Sequence, residues 1–262
     1  MTVPNSLIRA ADMAISSGVA LKDPTEIKTA RPTRATLRRY EVTALTPTGE
    51  VVNKRHLAPA LPLFENAFCA FARGTMIETA MGPMAIEDLL PGDDIVTQDG
   101  STQPLMWKGS TTLVPGHASS QERNLNLTRI MADTFGMQRP LSYVLTGPSA
   151  RILHTPHHLR ALAGGNPILT PVTEFVDGNN VISTAPPTPV ELFHICLPRH
   201  ALIRVGGLEF ETYHPGVNAT RMISQKMRDL FVGLFDHIQH LTDFGLPAIP
   251  RAGDGQIAAM SA

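Results

Sequence analysis

Apolar and polar positions along this chain fall into short, frequently interrupted runs. Residues 40–45 and 50–54 alternate with a period of two on either side of Thr46-Pro47-Thr48-Gly49. A Pro/Gly turn between two alternating runs predicts a hairpin over residues 40–54. Residues 58–64 carry Pro59 and Pro62 and read as an extended connector. From Phe68 to His214 the pattern is short strand, turn, short strand. Residues 76–79 precede a turn at Met81-Gly82-Pro83, residues 95–97 run into Gln98-Asp99-Gly100, and residues 105–107 follow. Residues 125–135 fit either a short helix or a strand insertion. Residues 190–197 and 201–205 are joined through Pro198-Arg199, and Gly206-Gly207 turns into residues 208–213. Many short runs separated by turn-formers predict an all-β core with little helix.

Beyond Pro215-Gly216 the period changes. Ile223, Met227, Leu230, Leu234, Ile238 and Leu241 recur at steps of four and three, the spacing of one apolar helix face. Asn218 or Thr220 is placed to cap the start, and Gly245-Leu246-Pro247 follows the end. Such a helix is expected to pack on the β domain or on a second copy, the latter giving a homodimer. The tail after Pro250 is expected to be loose. The chain thus divides into an N-terminal extension with the hairpin (1–66), a β domain (67–217), and a C-terminal helix with its tail (218–262).

Composition narrows the function classes. The chain has 262 residues, 43% hydrophobic and 17% charged, with a formal net charge of −1. That suffices for one domain of roughly 150–200 residues plus appendages. Near-neutral charge gives no reason to expect a nucleic-acid partner. No apolar run approaches the ~20 residues of a membrane span, and Asn5, Arg9 and Asp12 break up what would be the core of a signal peptide. The expectation is a soluble protein, cytoplasmic by default. Lys28, Arg31, Arg34, Arg38 and Arg39 form a basic stretch that reads as a solvated arm, with docking to an anionic surface as the alternative. Two cysteines, Cys69 and Cys196, are too few for a disulfide scaffold, although one bridge between them is conceivable. His154, His157 and His158 cluster, but no Cys-x-x-Cys or carboxylate set completes a coordination sphere, so neither a metal nor another cofactor is expected.

The segment with most chemical content is Ala70-Phe71-Ala72-Arg73-Gly74-Thr75-Met76-Ile77. After it come Gly82, then Ile86-Glu87-Asp88-Leu89-Leu90-Pro91-Gly92-Asp93, Val96-Thr97 and Asp99-Gly100. This ordered series resembles the opening of the Hint domain, the Hedgehog/intein self-processing fold, and Gln103-Pro104 with Trp107-Lys108-Gly109 is similar to its bacterial branch. Thr155-Pro156-His157-His158 is similar to the family's T-x-x-H element, with Leu169-Thr170-Pro171 and Val176-Asp177-Gly178-Asn179 behind it. His194, Arg199-His200, Gly206-Gly207-Leu208, Glu211 and Pro215-Gly216 resemble the closing strands. The resemblance covers residues 69–216 and implies an all-β Hint fold.

It also implies a reaction. In this family a nucleophile at the first position attacks the carbonyl just before it and converts an amide into a thioester or ester. That step needs a polarised amide and a proton for the departing nitrogen. The resemblance implies that Thr155 and His158 would hold the scissile peptide, with His158 as general acid-base and His200 in support. The chain's own N-terminal segment would be the intramolecular substrate. Yet the nucleophile position aligns to Ala70, whose methyl group cannot attack. Cys69 is one residue earlier, and a one-residue slip in an extended segment turns a side chain to the opposite face unless a bulge absorbs it. A second register lays Gly147-Pro148-Ser149-Ala150-Arg151 on the family's S-P-x-H-R and places Ala150 at the histidine. No splice acceptor follows: Asn218 has Val217 before it and Ala219 after it.

Three functional expectations follow. The first is a Hint domain whose self-cleavage is lost or crippled at Ala70. The second is an autoprocessor that uses Cys69 with Thr155 and His158. The third is an adaptor that docks an unidentified protein partner through the C-terminal helix.

Overall fold

The computed structural model describes residues 36–114, 126–161, 163–216, 219 and 223–252. Expectations for the leader before residue 36, for the helix-capping residues Asn218 and Thr220, and for the tail after residue 252 lie outside the described residues.

Sixteen short strands follow in chain order: β1 (Leu37–Leu45), β2 (Val51–Pro59), β3 (Phe71–Ala72), β4 (Met76–Thr79), β5 (Gly82–Ala85), β6 (Asp94–Val96), β7 (Thr102–Pro104), β8 (Trp107–Leu113), β9 (Leu127–Ile130), β10 (Val144–Thr146), β11 (Arg151–Leu153), β12 (Leu169–Pro171), β13 (Val181–Thr184), β14 (Val190–Cys196), β15 (Leu202–Val205) and β16 (Leu208–Glu211). These strands and two short α-helices, α1 (Pro62–Glu65) and α2 (Gln225–Val232), are the β and α elements among the described residues. The fold is all-β. One sheet has the order β13-β9-β10-β3-β14-β8-β1-β2, a second β12-β11-β16-β15, and a third β5-β4-β6-β7.

The hairpin forms, with Gly49 at φ 85° in its turn and Gly49 N–H donating to Thr46 O at 2.9 Å. It is longer than the alternation alone indicated, pairing Leu37 with Pro59 at its open end. It is also no appendage, because β1 lies antiparallel to β8 with Tyr40 opposite Thr111 and Ala44 opposite Trp107. Residues 58–64 are not simply an extended connector: β2 runs to Pro59, and Pro62 then opens α1, where a missing N–H costs nothing. Of residues 126–135, residues 127–130 form strand β9, between β13 and β10, and residues 131–135 turn away from it.

The long central sheet divides the interior into two cores. One contains Tyr40, Phe64, Phe68, Cys69, Trp107 and Cys196. The other contains Ala70, Phe71, Ile77, Ile95, Ile195, Ile203 and Phe210. The Trp-Lys-Gly triplet shows how one strand serves both sides. Trp107 is fully buried in the first core and donates its indole N–H to Leu234 O at 2.7 Å. Gly109 has no room for a side chain, since a Cβ there would stand 2.1 Å from the Trp107 ring and 2.5 Å from Phe68. Lys108, between them, points the other way and donates to the carbonyls of Ile86, Glu87 and Leu89 at 3.2, 2.6 and 2.6 Å. One ammonium thereby ties the Ile-Glu-Asp-Leu turn to the main sheet.

The C-terminal helix is shorter than its periodicity suggested. Ser224 caps α2 by accepting from Met227 N–H, and the helix stops at Gly233 after Val232. The apolar residues beyond continue as turns, where Leu234 and Phe235 are buried and Phe235 lies against Trp107 at 4.9 Å between ring centroids. Leu234 therefore belongs to the chain's own core and is not available as a docking residue for a second copy. The tail is not loose at Pro250 either, because Arg251 is 4% exposed and forms a parallel bridge with Leu169.

Candidate functional site

The site is built around the peptide between Cys69 and Ala70. β3 starts at the next residue and is clamped between β10 and β14, with Phe71 opposite both Thr146 and Phe193. The two residues point into different cores, Cys69 into the first and Ala70 into the second, as expected for neighbours on extended backbone. Cys69 is buried and unoxidised, as is Cys196, so no bridge joins them. Burial, with the Glu65 carboxylate nearby, pushes the Cys69 thiol far above its ordinary range. A thiol held neutral in an apolar core is a poor nucleophile.

The polar groups of this peptide, and the carbonyl of the next one, are met by main chain. Ala70 N–H donates to Phe193 O at 3.0 Å, Cys69 O accepts from Ser149 N–H at 3.1 Å, and Ala70 O accepts from Gly147 N–H at 2.8 Å. The segment that closes over the peptide is therefore the turn at residues 147–150, between β10 and β11. It sits very close: a Cβ on Gly147 would stand 2.1 Å from Cys69 O and 2.8 Å from Cys69 C. Ala150 is 2% exposed, and its carbonyl accepts from Val172 N–H at 3.0 Å. The Ser149 hydroxyl is buried with no hydrogen-bond partner among the described residues.

Thr155 and His158 are elsewhere. The Thr155 hydroxyl donates to Asn166 O at 3.3 Å and accepts from Ile168 N–H at 3.2 Å, closing the 155–168 loop on itself. His158 is exposed on a single 3-10 turn, His157–Leu159. Among the described residues no hydrogen bond joins either side chain to the Cys69–Ala70 peptide. His154 packs between Phe135 and Phe175 at 4.7 and 5.4 Å. Among the described residues no group of three or more His, Cys, Asp or Glu is arranged to hold a metal ion.

His200 belongs to a second, buried polar cluster that the sequence did not announce. Its centre is Glu211 at the end of β16, 4% exposed. Arg251 Nε lies 3.0 Å from Oε2, His200 Nε2 3.5 Å from the same oxygen, and Arg151 Nε 3.5 Å from Oε1. Burial alone would raise the Glu211 carboxyl, but Arg251, then His200 and Arg151, outweigh it and hold it below the usual carboxylate range. His200 Nδ1 accepts from Ala248 N–H at 2.9 Å, and Arg251 also donates to His214 O at 2.7 Å. Glu211 has a sequence signal only through its place in the closing strands. Arg251 has none.

Three buried histidines give the fold a pH dependence. Burial pushes His194 down to about 3, and His214 and His237 each to about 4. The unfolded value is ~6.5, so the native state binds fewer protons than the unfolded chain. Their stabilisation is complete above pH ~6.5 and is lost as the pH falls toward the folded values. At pH 5 each such histidine costs about 2 kcal/mol. The melting temperature measured by scanning fluorimetry is expected to be lower at pH 5 than at pH 7.5. A midpoint that does not move between those two pH values would contradict this assignment.

No curated protein matches the chain. Among solved structures, a bacterial intein-like domain from Clostridium thermocellum aligns at 11% identity over 56% of this chain and 99% of its own, with a TM-score of 0.39. The AceL NrdHF class 3 split intein aligns at 13% identity over 55% of this chain and 97% of its own, with a TM-score of 0.37. The MchDnaB-1 intein aligns at 13% identity over 55% of this chain and 100% of its own, with a TM-score of 0.34. The family model of the Hint domain, Hint_2, matches residues 69–217, more than half of the chain. The chain belongs to the Hint domain family.

Proposed function

We propose that this Hint domain no longer cleaves itself and is retained as a folded module. The observation that carries this reading is the turn at residues 147–150, whose Ser149 N–H meets the Cys69 carbonyl and whose Gly147 N–H meets the next carbonyl, that of Ala70. That contact favours the register in which Gly147 stands at the family's hydroxyl position and Ala150 at its histidine. With Ala70 at the nucleophile position, all three side chains that the reaction needs are then absent. Nothing remains to attack the Cys69 carbonyl or to protonate the Ala70 nitrogen. In this reading Thr155 and His158 shape the 155–168 loop, and His200 supports Glu211.

An autoprocessor working through Cys69 would need that side chain to leave the first core and ionise, against both its burial and the elevated thiol. No helix among the described residues is long and apolar enough to cross a membrane.

Intact-mass spectrometry of the purified chain, incubated with and without dithiothreitol, tests the proposal. A single full-length mass is expected in both conditions. A thiol-dependent pair of fragments split beside Cys69 would overturn it.

A further inference from the structure

The edge of β12 is occupied by the chain's own C-terminal segment. Leu169 N–H donates to Pro250 O at 2.9 Å, and Ala252 N–H donates back to Leu169 O at 2.8 Å, so residues 250–252 add to the β12-β11-β16-β15 sheet as a parallel partner. The segment is held by few anchors. Between Phe244 and Arg251 no side chain is buried. Besides the two bonds to Leu169, residues 245–252 hydrogen-bond to the body between His214 Nε2 and Gly245 O at 3.2 Å, from Ala248 N–H to His200 Nδ1 at 2.9 Å, and through Arg251. Arg251 enters side-on. Its Nε meets Glu211 Oε2 at 3.0 Å while Nη2 meets His214 O at 2.7 Å. Two nitrogens of one planar group thus read a carboxylate and a carbonyl separately, which a lysine ammonium cannot reproduce.

We infer that the β12 edge, with Glu211 as its floor, is a recognition groove for an extended arginine-bearing peptide of a partner protein, and that residues 248–252 are its intramolecular occupant. Main-chain bonds to a free strand edge supply affinity without sequence preference, and one pocket supplies the choice of side chain, as in other strand-addition sites. The arginine pocket survives without its occupant, because Arg151 and His200 still face Glu211 when Arg251 is gone. This inference does not depend on whether the Cys69–Ala70 bond can be cleaved.

The test uses the full chain with Arg251→Ala and a fluorescent peptide that repeats residues 246–252 of the natural sequence. Fluorescence anisotropy is expected to show binding to Arg251→Ala at least ten-fold tighter than to the wild-type chain, whose groove is filled. Replacing the peptide's arginine by lysine or alanine is expected to weaken binding at least ten-fold. No binding to a folded Arg251→Ala chain, or equal binding of the arginine and alanine peptides, would refute the groove. Hydrogen exchange on the wild-type chain provides a readout independent of that variant. The amides of Leu169 and Ala252 are expected to exchange at least ten-fold faster than those of β8 and β14, by local opening. Exchange of all of them at one common rate would mean that the edge never opens, and the inference would fail.

Discussion

Replacing Glu211 by alanine is expected to lower folding stability by about 3–5 kcal/mol, the usual cost of removing one member of a buried ion cluster. The loss exceeds that of the pairwise attractions because Arg151, in β11, and His200, between β14 and β15, cannot follow the carboxylate out. Arg251 would lose the oxygen 3.0 Å from its Nε, and Arg151 the carboxylate oxygen 3.5 Å from its Nε. His200 would lose the oxygen facing its Nε2. Urea denaturation followed by fluorescence of Trp107, the single tryptophan, measures the difference. A loss below about 1 kcal/mol, the range of exposed ion pairs, would show that water already screens this cluster.

The second large effect is expected at Gly147. In the proposed register threonine there restores the hydroxyl that the family uses, yet it should destabilise the chain by about 3 kcal/mol, the upper part of the range for overpacking. Its Cβ would collide with backbone, namely the Cys69 carbonyl at 2.1 Å, and not with a side chain that could rotate away. The bond from Ser149 N–H to that carbonyl and the bond from Gly147 N–H to Ala70 O hold the turn in place, so relief means breaking them. The same geometry sets the outcome for Ala70→Cys. In the proposed register the new thiol would regain the attacking atom without the hydroxyl or imidazole that activates the amide, so the variant is expected to stay at full mass in dithiothreitol. Thermal denaturation of Gly147→Thr and mass spectrometry of Ala70→Cys check the two halves. A Gly147→Thr chain as stable as wild type, or a thiol-dependent fragment from Ala70→Cys alone, would show that the turn is more compliant than its contacts indicate.

What the sequence revealed was mostly local. The Thr46–Gly49 turn and the alternation around it are enough to find the hairpin, and the ordered motifs from Ala70 to Gly216 are enough to find the fold. The partner of β1 was not legible, because Tyr40 and Thr111 meet across 71 residues of chain and no local pattern encodes that pairing. The C-terminal periodicity was misleading for a definable reason. Apolar residues at steps of three and four mark positions that must be buried, and after Gly233 they are buried by turns that fold over Trp107 instead of by further helix. The register of the site was ambiguous since both Thr155-Pro156 and Gly147-Pro148 offer a proline at the right spacing. The register proposed above rests on the closeness of Gly147 to the Cys69 carbonyl, a contact in space that no local pattern encodes. Arg251 looked like part of a polar tail because its value comes entirely from Glu211, forty residues away.

The pairing of β1 with β8 also bears on what any cut after Cys69 would produce. Residues 36–69 supply two strands of the eight-stranded sheet and, through Tyr40, Phe64 and Phe68, much of the first core. Severing the bond would leave those contacts in place, and the two pieces would remain a non-covalent complex that co-migrates on a native column. In this architecture, breaking the backbone and liberating the N-terminal piece are separate events, and the second requires half of the interior to come apart.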